Sequence, residues 1–303
     1  LPLAEPEQML GGVTFGDVSE LAQTLGGNFD IEVTQLKRGP FSGHLESWPL
    51  SGVVVSQGRL ERSVQISGAT NLEVTLLVTD PLCQGRMVLN GVTLEHRDAL
   101  AAPYRTEHRF VLPEAFQGIV LQVSHPIWAE HTMPRQQFLP NADALCAFAR
   151  SLAAMGRDLN DASRDALGNR CIELLLHSLP TATSHRVDSL NSRRKAAMMA
   201  ADFIHHQPQA PLAVQTLCRQ FHVGERTLRE GFIEVFGLPP LEYVMAVRMN
   251  LVRRRLREAD GGLTVAQAAT EQGFWHLPRF SGFYRRFFGE LPSQTLRQQA
   301  PKE

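Results

Sequence analysis

Cysteine is scarce in this chain: 303 residues contain four, Cys83, Cys146, Cys171 and Cys218, far apart, with no CxxC pair and no histidine beside any of them. That excludes a disulfide-stapled module and a zinc ribbon, and leaves buried thiols of a cytoplasmic protein as the expectation. No apolar run reaches the roughly 18 residues of a membrane span, and the N-terminal stretch lacks a signal-peptide pattern. A Gly-rich phosphate loop, a GxSxG nucleophile turn and any His-x-His pair are also missing. Upstream, His44, His96, His108, His125 and His131 are scattered, and the neighbours His205 and His206 would face different ways on a helix. We therefore expect no catalytic residue, no metal and no cofactor.

What is present is a repeat. The first copy runs from Leu212 to Pro240: Leu212, Val214, Leu217 and Cys218 form an apolar helix face, and His222-Val223-Gly224 breaks it. A second helix then carries Arg226, Leu228, Arg229, Phe232 and Phe236, ending at Gly237 with Pro240 beyond. The second copy, residues 263–292, has Val265, Ala268 and Ala269, the break Gly273-Phe274-Trp275, then Arg279, Phe280, Tyr284, Phe288, Gly289 and Pro292. Cys218 and Val223 precede Ala269 and Phe274 by 51 residues; Leu228, Phe232, Phe236, Gly237 and Pro240 precede Phe280, Tyr284, Phe288, Gly289 and Pro292 by 52. Each copy has the logic of a helix-turn-helix. A small residue (Cys218, Ala269) sits where the helices cross, and a glycine (Gly224, Gly273) is available for the turn. An i, i+4, i+8 apolar stripe follows, closed by a capping glycine with a proline after it. Trp275 is expected to pack at its turn and orient the following helix.

The second copy resembles the AraC/XylS family of bacterial transcription regulators at Ala269-x-x-x-Gly273-Phe274, Phe280, Tyr284, Gly289 and Pro292-Ser293. The stretch from Gly273 to Leu277, followed by Arg279-Phe280, is similar to the subgroup that includes ethanolamine-operon regulators. The resemblance covers about residues 196–298. Gly224 stands where the family usually has a capping serine, and Glu230 and Gly282 where many relatives carry arginine, which bears on base preference.

Charge divides the chain in the same place. Residues 191–303 hold 16 Lys+Arg against 10 Asp+Glu, whereas the first 190 hold 14 against 21. A basic half suits a phosphate-neutralising surface. The run Arg253-Arg254-Arg255-x-Arg257 reads equally as phosphate contacts or as a solvated helix face; Arg193-Arg194-Lys195 reads as a linker end.

Residues 29 to 124 read as strands. Phe29–Val33 alternates, Val53–Val55, Val74–Val78 and Ile119–Leu121 are apolar runs, and Met87–Leu94 is a hairpin around Asn90-Gly91. Short strands at regular spacing imply a small antiparallel β barrel or sandwich, and the resemblance implies a cupin-like jelly roll. Helices are expected over 142–156, with Leu145, Phe148, Leu152 and Met155 on one stripe, and over 163–179, with Leu167, Cys171, Leu174, Leu175 and Leu179. This pair either packs on the barrel's flank or forms a dimer seam. Arg59, Arg62 and Arg105 could grip an anionic ligand or be ordinary surface arginines.

The resulting expectation is an α+β multidomain chain. Residues 1–140 form a cupin-like sensor, 141–180 the helical pair, 181–194 a linker, and 195–303 an all-α DNA-binding domain with two tandem helix-turn-helix motifs (212–240 and 263–292). The DNA-facing candidates are Arg226, Thr227, Arg229 and Glu230 in the first copy, with His276, Arg279 and Ser281 in the second and Arg285 and Arg286 at phosphates. Expected partners are double-stranded promoter DNA, a small-molecule effector of unread identity and site, and a second copy of the chain, with RNA polymerase a further candidate. Two alternatives stay open: a ligand-independent dimeric regulator, and a cupin enzyme with an appended DNA-binding domain.

Overall fold

The computed structural model of the chain describes residues 11–26, 29–70, 74–79, 85–94, 99–103, 107–123, 137–139, 142–155, 159–178, 190–210, 213–259 and 262–297. The N-terminal strands are β1 (Gly11–Phe15), β2 (Phe29–Gln35), β3 (Gly43–Leu50), β4 (Val53–Leu60), β5 (Val64–Thr70), β6 (Val74–Thr79), β7 (Met87–Leu89), β8 (Val92–Leu94), β9 (Ala99–Pro103), β10 (Glu107–Leu112), β11 (Phe116–Val123) and β12 (Gln137–Leu139). They form a seven-stranded antiparallel sheet, β1-β3-β4-β11-β6-β9-β12, and a five-stranded one, β2-β5-β10-β7-β8. Of the two forms expected, the barrel is corrected: the described strands form two separate sheets that share no strand and do not close. The Asn90-Gly91 hairpin is as read from sequence, both residues having positive φ (47° and 82°) as a two-residue type I′ turn requires. Not foreseen were β1 and helix α1 (Val18–Gly26), which follows it.

Each sheet is covered on both faces, which explains why its strands read as near-continuous apolar runs. Between the sheets lie Phe15, Leu45, Leu60 and Phe116 from one side and Val64, Met87 and Leu112 from the other. Helices α2 (Asp143–Met155) and α3 (Asp161–Ser178) cover the seven-stranded sheet. Leu145, Leu152, Cys171 and Leu175 pack there on Trp48, Val55, Ile119 and Leu121. The stripe is therefore buried within the chain up to its end, where Met155 stays 60% exposed. Gly168 lets α3 approach the β3–β4 turn, since a Cβ there would meet the Ser51 carbonyl oxygen at 2.3 Å. Cys171 is buried, and its thiol is pushed up to about 12 by that burial, so it is an inert packing group.

The outer face of the five-stranded sheet carries the C-terminal helices. α4 (Ser192–His206) starts inside the segment expected to be linker, with the Asn191 side chain accepting from Arg194 N–H at 2.9 Å. Residues 181–189, Leu212 and Arg105 lie outside the described residues. Leu36, Val88 and Val111 from the sheet side join the helical core around Phe232, Phe236 and Tyr243. Polar contacts lock the same seam. Asn250 exchanges two hydrogen bonds with the Gln35 backbone (3.0 and 2.9 Å), Tyr243 donates to Gln65 at 2.6 Å, and Arg109 pairs with Asp202 at 2.6 Å.

Candidate nucleic-acid interface

The repeat read from spacing exists as two helix pairs. The first is α5 (Val214–Gln220) and α6 (Glu225–Phe236); the second is α8 (Val265–Glu271) and α9 (Leu277–Phe288). They are joined by α7 (Pro240–Arg257), and α10 (Pro292–Arg297) follows. The breaks superpose in hydrogen bonding: Val223 N–H donates to the Cys218 carbonyl at 3.1 Å, and Phe274 N–H to the Ala269 carbonyl at 3.0 Å. One expectation about the turn is corrected. Gly273 takes the left-handed conformation (φ 81°), but in the first pair His222 does so (φ 53°), while Gly224 is an extended N-cap at φ −68° with no side-chain cap. The left-handed site lies three residues before α6 and four before α9, so Gly224, directly next to its helix, cannot serve.

The second helix of each pair buries its expected stripe. Leu228, Phe232 and Phe236, and Phe280, Tyr284 and Phe288, are all buried, with ring centroids 5.3 Å apart for Phe232–Phe236 and 4.7 Å for Tyr284–Phe288. Gly237 and Gly289 cap α6 and α9 with φ 67° and 83°. Gly231 lets α6 cross α4 closely, because a Cβ there would meet the Arg193 carbonyl oxygen at 2.2 Å.

The opposite faces are open. On α6, Arg226 has 91% of its side chain exposed and donates to Glu230 at 2.9 Å; Arg229 is exposed, and Thr227 and Glu230 are half-buried. Hydrogen bonding from Arg226, more than the charge of Arg193, holds the Glu230 carboxyl below its ordinary value, so that acceptor is already engaged. On α9, His276, Arg279, Arg285 and Arg286 are exposed and Ser281 is half-buried. His276 is the N-cap, its Nδ1 accepting from Arg279 N–H at 3.4 Å, and the Arg286 guanidinium lies 4.7 Å over the Phe283 ring. The nine candidates thus fall on the open faces of α6 and α9. Among the described residues Arg229, Arg279 and Arg285 make no ion pair.

Two other expectations fail. Trp275 does not pack at its turn; it is 80% exposed, beside His276. Its position was legible in sequence, but whether a ring at a turn points in or out depends on the neighbouring helices. The arginine run on α7 is neither free for phosphates nor simply solvated. Arg253 is 7% exposed and bonds Asp17, Glu290 at 2.9 Å and the Tyr284 hydroxyl at 3.4 Å, beneath the Phe288 ring. Arg257 reaches Asp17 and Glu20 at 3.1 and 3.3 Å, Arg254 reaches Glu32 at 3.0 Å, and Arg255 reaches Glu271 at 3.6 Å. Arg193 and Arg194, expected in a linker, sit on α4 and bond Glu234 at 2.7 and 3.1 Å. Much of the basic excess is thus spent on the chain's own acids, several of them in the N-terminal half. No local signal could have revealed these partners, which lie up to 240 residues away. Of the anion-gripping arginines considered, Arg59 is exposed and Arg62 pairs with Glu114 at 3.6 Å. Among the described residues no cluster of His, Cys, Asp or Glu could hold a metal, and no helix is long and apolar enough to cross a membrane.

A helix-turn-helix domain family profile matches residues 217–298, the span containing these elements. The "Probable thc operon regulatory protein" of Rhodococcus erythropolis is 32% identical over 131 residues, 41% of this chain and 40% of that protein. The "XylDLEGF operon transcriptional activator 1" of Pseudomonas putida is 31% identical over 101 residues, 33% of this chain and 30% of that one. Over its C-terminal part the chain is thus similar to AraC/XylS-type transcription regulators, and it spans less than half the length of these relatives. A solved probable AraC family transcriptional regulator from Rhodopseudomonas palustris CGA009 shares 27% identity over 35% of this chain and 99% of its own, with TM-score 0.34. The AraC-like transcriptional activator CuxR shares 13% over 83% of this chain and 96% of its own, with TM-score 0.45. The family match lies in the helix pairs; the sheets and their cover stand on their own geometry.

Proposed function

We propose that the chain is a sequence-specific, double-stranded-DNA-binding transcription regulator whose N-terminal part senses a small molecule. The observation that carries this reading is the pair of equivalent helices, α6 and α9, each with one face buried in an aromatic core and the other open and carrying exposed arginines. The two pairs are read as tandem helix-turn-helix motifs (212–240 and 263–292), their second helices entering major grooves about one helical turn, ~34 Å, apart. Arg226, Thr227, Arg229 and Glu230, and His276, Arg279 and Ser281, are assigned to base edges: arginine bonds guanine at two atoms, and glutamate accepts from cytosine. Arg285 and Arg286 are assigned to phosphates. To these we add Trp275, exposed at the start of α9. Glu230 presents its carboxylate with Arg226 bonded to one oxygen, so the two act as one unit.

The finer architecture belongs to the same reading: a cupin-like jelly roll within residues 1–140, the helical pair of 141–180, and a DNA-binding domain from 195 onward, in a cytoplasmic protein that acts as a homodimer and contacts RNA polymerase. A seam on α2 would use its outer face, because the inner stripe is filled by the sheet. An effector must bind one state better than the other, and DNA must then shift effector affinity reciprocally. The test is footprinting of the whole chain on its own upstream DNA across a salt series. Two adjacent protected major-groove segments per protomer, with affinity falling steeply in salt, is the expected result. Binding that ignores sequence, with and without candidate effectors, would overturn it.

A further inference from the structure

The two N-terminal sheets leave a cavity of about 130 Å³ between them. Its origin is partly local: Gly58 on β4 lines it without a side chain, while the space over its partner Gly118 on β11 is taken by the Phe116 ring, 2.4 Å from where a Cβ would stand. Leu45, Ile66, Phe110 and Val120 are among the apolar walls, and helix α1 closes one side with Leu21 and Leu25. An apolar cavity of ~150 Å³ accepts benzene, so this one suits a molecule of about one ring.

The lining chemistry limits charge. Among the described residues no Lys, Arg, Asp or Glu lines the cavity. Of its two histidines, His44 is half-exposed at the side of Thr14, and His108 is buried and held neutral, its pKa pushed down to about 4 by burial. A carboxylate, phosphate or ammonium placed here would lose its hydration with no countercharge to replace it. Ser56 and Gln122, both buried, offer hydrogen bonding for a single polar group.

Behind α1 stands α7. Asp17, just before α1, is buried, accepts from Ser19 N–H at 2.7 Å and bonds Arg253 and Arg257; Glu20 in the first turn bonds Arg257 as well. Arg253 in turn bonds Glu290 and Tyr284, beyond the second recognition helix and within it. One short helix thus touches the cavity with Leu21 and Leu25 and the helix joining the two DNA-reading pairs with its first turn.

Resting on the regulator reading, we propose that this cavity binds an uncharged, largely apolar molecule the size of one ring, carrying at most one polar group, and that α1 relays its presence to α7 through Asp17. The first test needs no DNA, so it stands apart from the DNA-binding reading. The melting temperature and calorimetric binding of the full chain are measured at neutral pH with toluene, benzyl alcohol and benzoate. Toluene and benzyl alcohol should raise the melting temperature by several degrees and benzoate should not. The variant G58V, whose Cβ has ordinary 3.7 Å clearance to Leu45, should fold and lose the response; V120F fills the same space should G58V fail to fold. No shift with either neutral probe, benzoate binding as well as benzyl alcohol, or an unchanged response in a folded cavity-filled variant would overturn the ligand assignment. For the relay, benzyl alcohol should change promoter affinity at least fivefold in the natural chain. In D17N, which keeps the hydrogen-bonding oxygen but not the charge, ligand binding should persist and that change should vanish. An undiminished change in D17N would overturn the relay.

Discussion

The two helix pairs share their spacing, turn hydrogen bonds and glycine caps, yet their surroundings differ. The first is built into the molecule: its core takes in Leu36, Val88 and Val111 from the sheet side, and His205 and Tyr243 beside it meet Gln65 of β5. The second has a core of its own, around Ala246, Met249, Phe280 and Tyr284, with a Thr264–Gln267 capping box opening α8. It reaches the N-terminal half through Arg253 and through the Phe287 carbonyl, which accepts from Gly39 N–H at 2.9 Å. The second pair also exposes Arg279, Arg285, Arg286 and Trp275, whereas Arg226 and Glu230 of the first are engaged with each other. A sequence repeat copies what each unit needs to fold; the context then decides which copy is anchored and which is free to engage a partner.

The comparison is broken most forcefully in the cores. Phe232→Ala and Phe280→Ala should each cost about 3–5 kcal/mol by opening a cavity. Hydrogen exchange should find the loss spreading into β5 and β10 for Phe232 and confined to α7–α10 for Phe280. Equal spread from both would show that the two pairs are docked alike.

Next in size is DNA binding. Arg279→Ala should lose about 1–3 kcal/mol at one base position, while Arg285→Ala should weaken all sequences alike and lower the salt slope by about 1. Titrations against single-base operator variants at several salt concentrations separate the two.

Acid should then act on the first pair. Burial, above all, pushes His205 down to about 4, against the opposing pull of Glu32 and Asp202 and with the help of Arg109 and His206. Its Nε2 lies 3.0 Å from Tyr243 Oη and 3.1 Å from Gln65 Nε2. The folded chain therefore binds fewer protons than the unfolded chain between pH 6.5 and 4. Stability is full above the unfolded value and is lost as pH falls through that window, by about 1 kcal/mol per pH unit for each such histidine. Denaturant midpoints at pH 7, 6 and 5 measure this, and His205→Gln should flatten the slope. Asp17, where two arginines and the Ser19 hydrogen bonds outweigh the upward push of burial, lies below the ordinary carboxylate value. Its contribution is present above about pH 4 and is lost only below it.

The smallest effect separates the turns. His222→Gly should stabilise the chain by about 0.5 kcal/mol, since a left-handed φ of 53° strains a side-chain-bearing residue. Gly273→Ala in the second turn should do the reverse, read as a fall in melting temperature.

Where a feature depends on residues close in the chain, the sequence carried it. The Asn90-Gly91 hairpin, the stripes of α6 and α9, the caps at Gly237 and Gly289 and the extents of α2 and α3 rest on periodicity, turn chemistry and propensity acting within a few residues. The nine proposed contacts fell on open faces for the same reason: burying Leu228, Phe232, Phe280 and Tyr284 fixes which side of each helix remains. Trp275 failed because its orientation is set by neighbours outside its own helix. The α7 arginines failed because charge composition counts cations without their partners.

The sequence by itself thus determined the two helix pairs and the alternation of strand and turn upstream, because local geometry and side-chain period are properties of short segments. Only the tertiary structure decided that the strands make two unclosed sheets, that Asp17 and Glu20 take up Arg253 and Arg257, and that Gly58 faces a cavity between the sheets. Each of these requires residues distant in the chain to become neighbours in space, and packing of the whole molecule makes that choice.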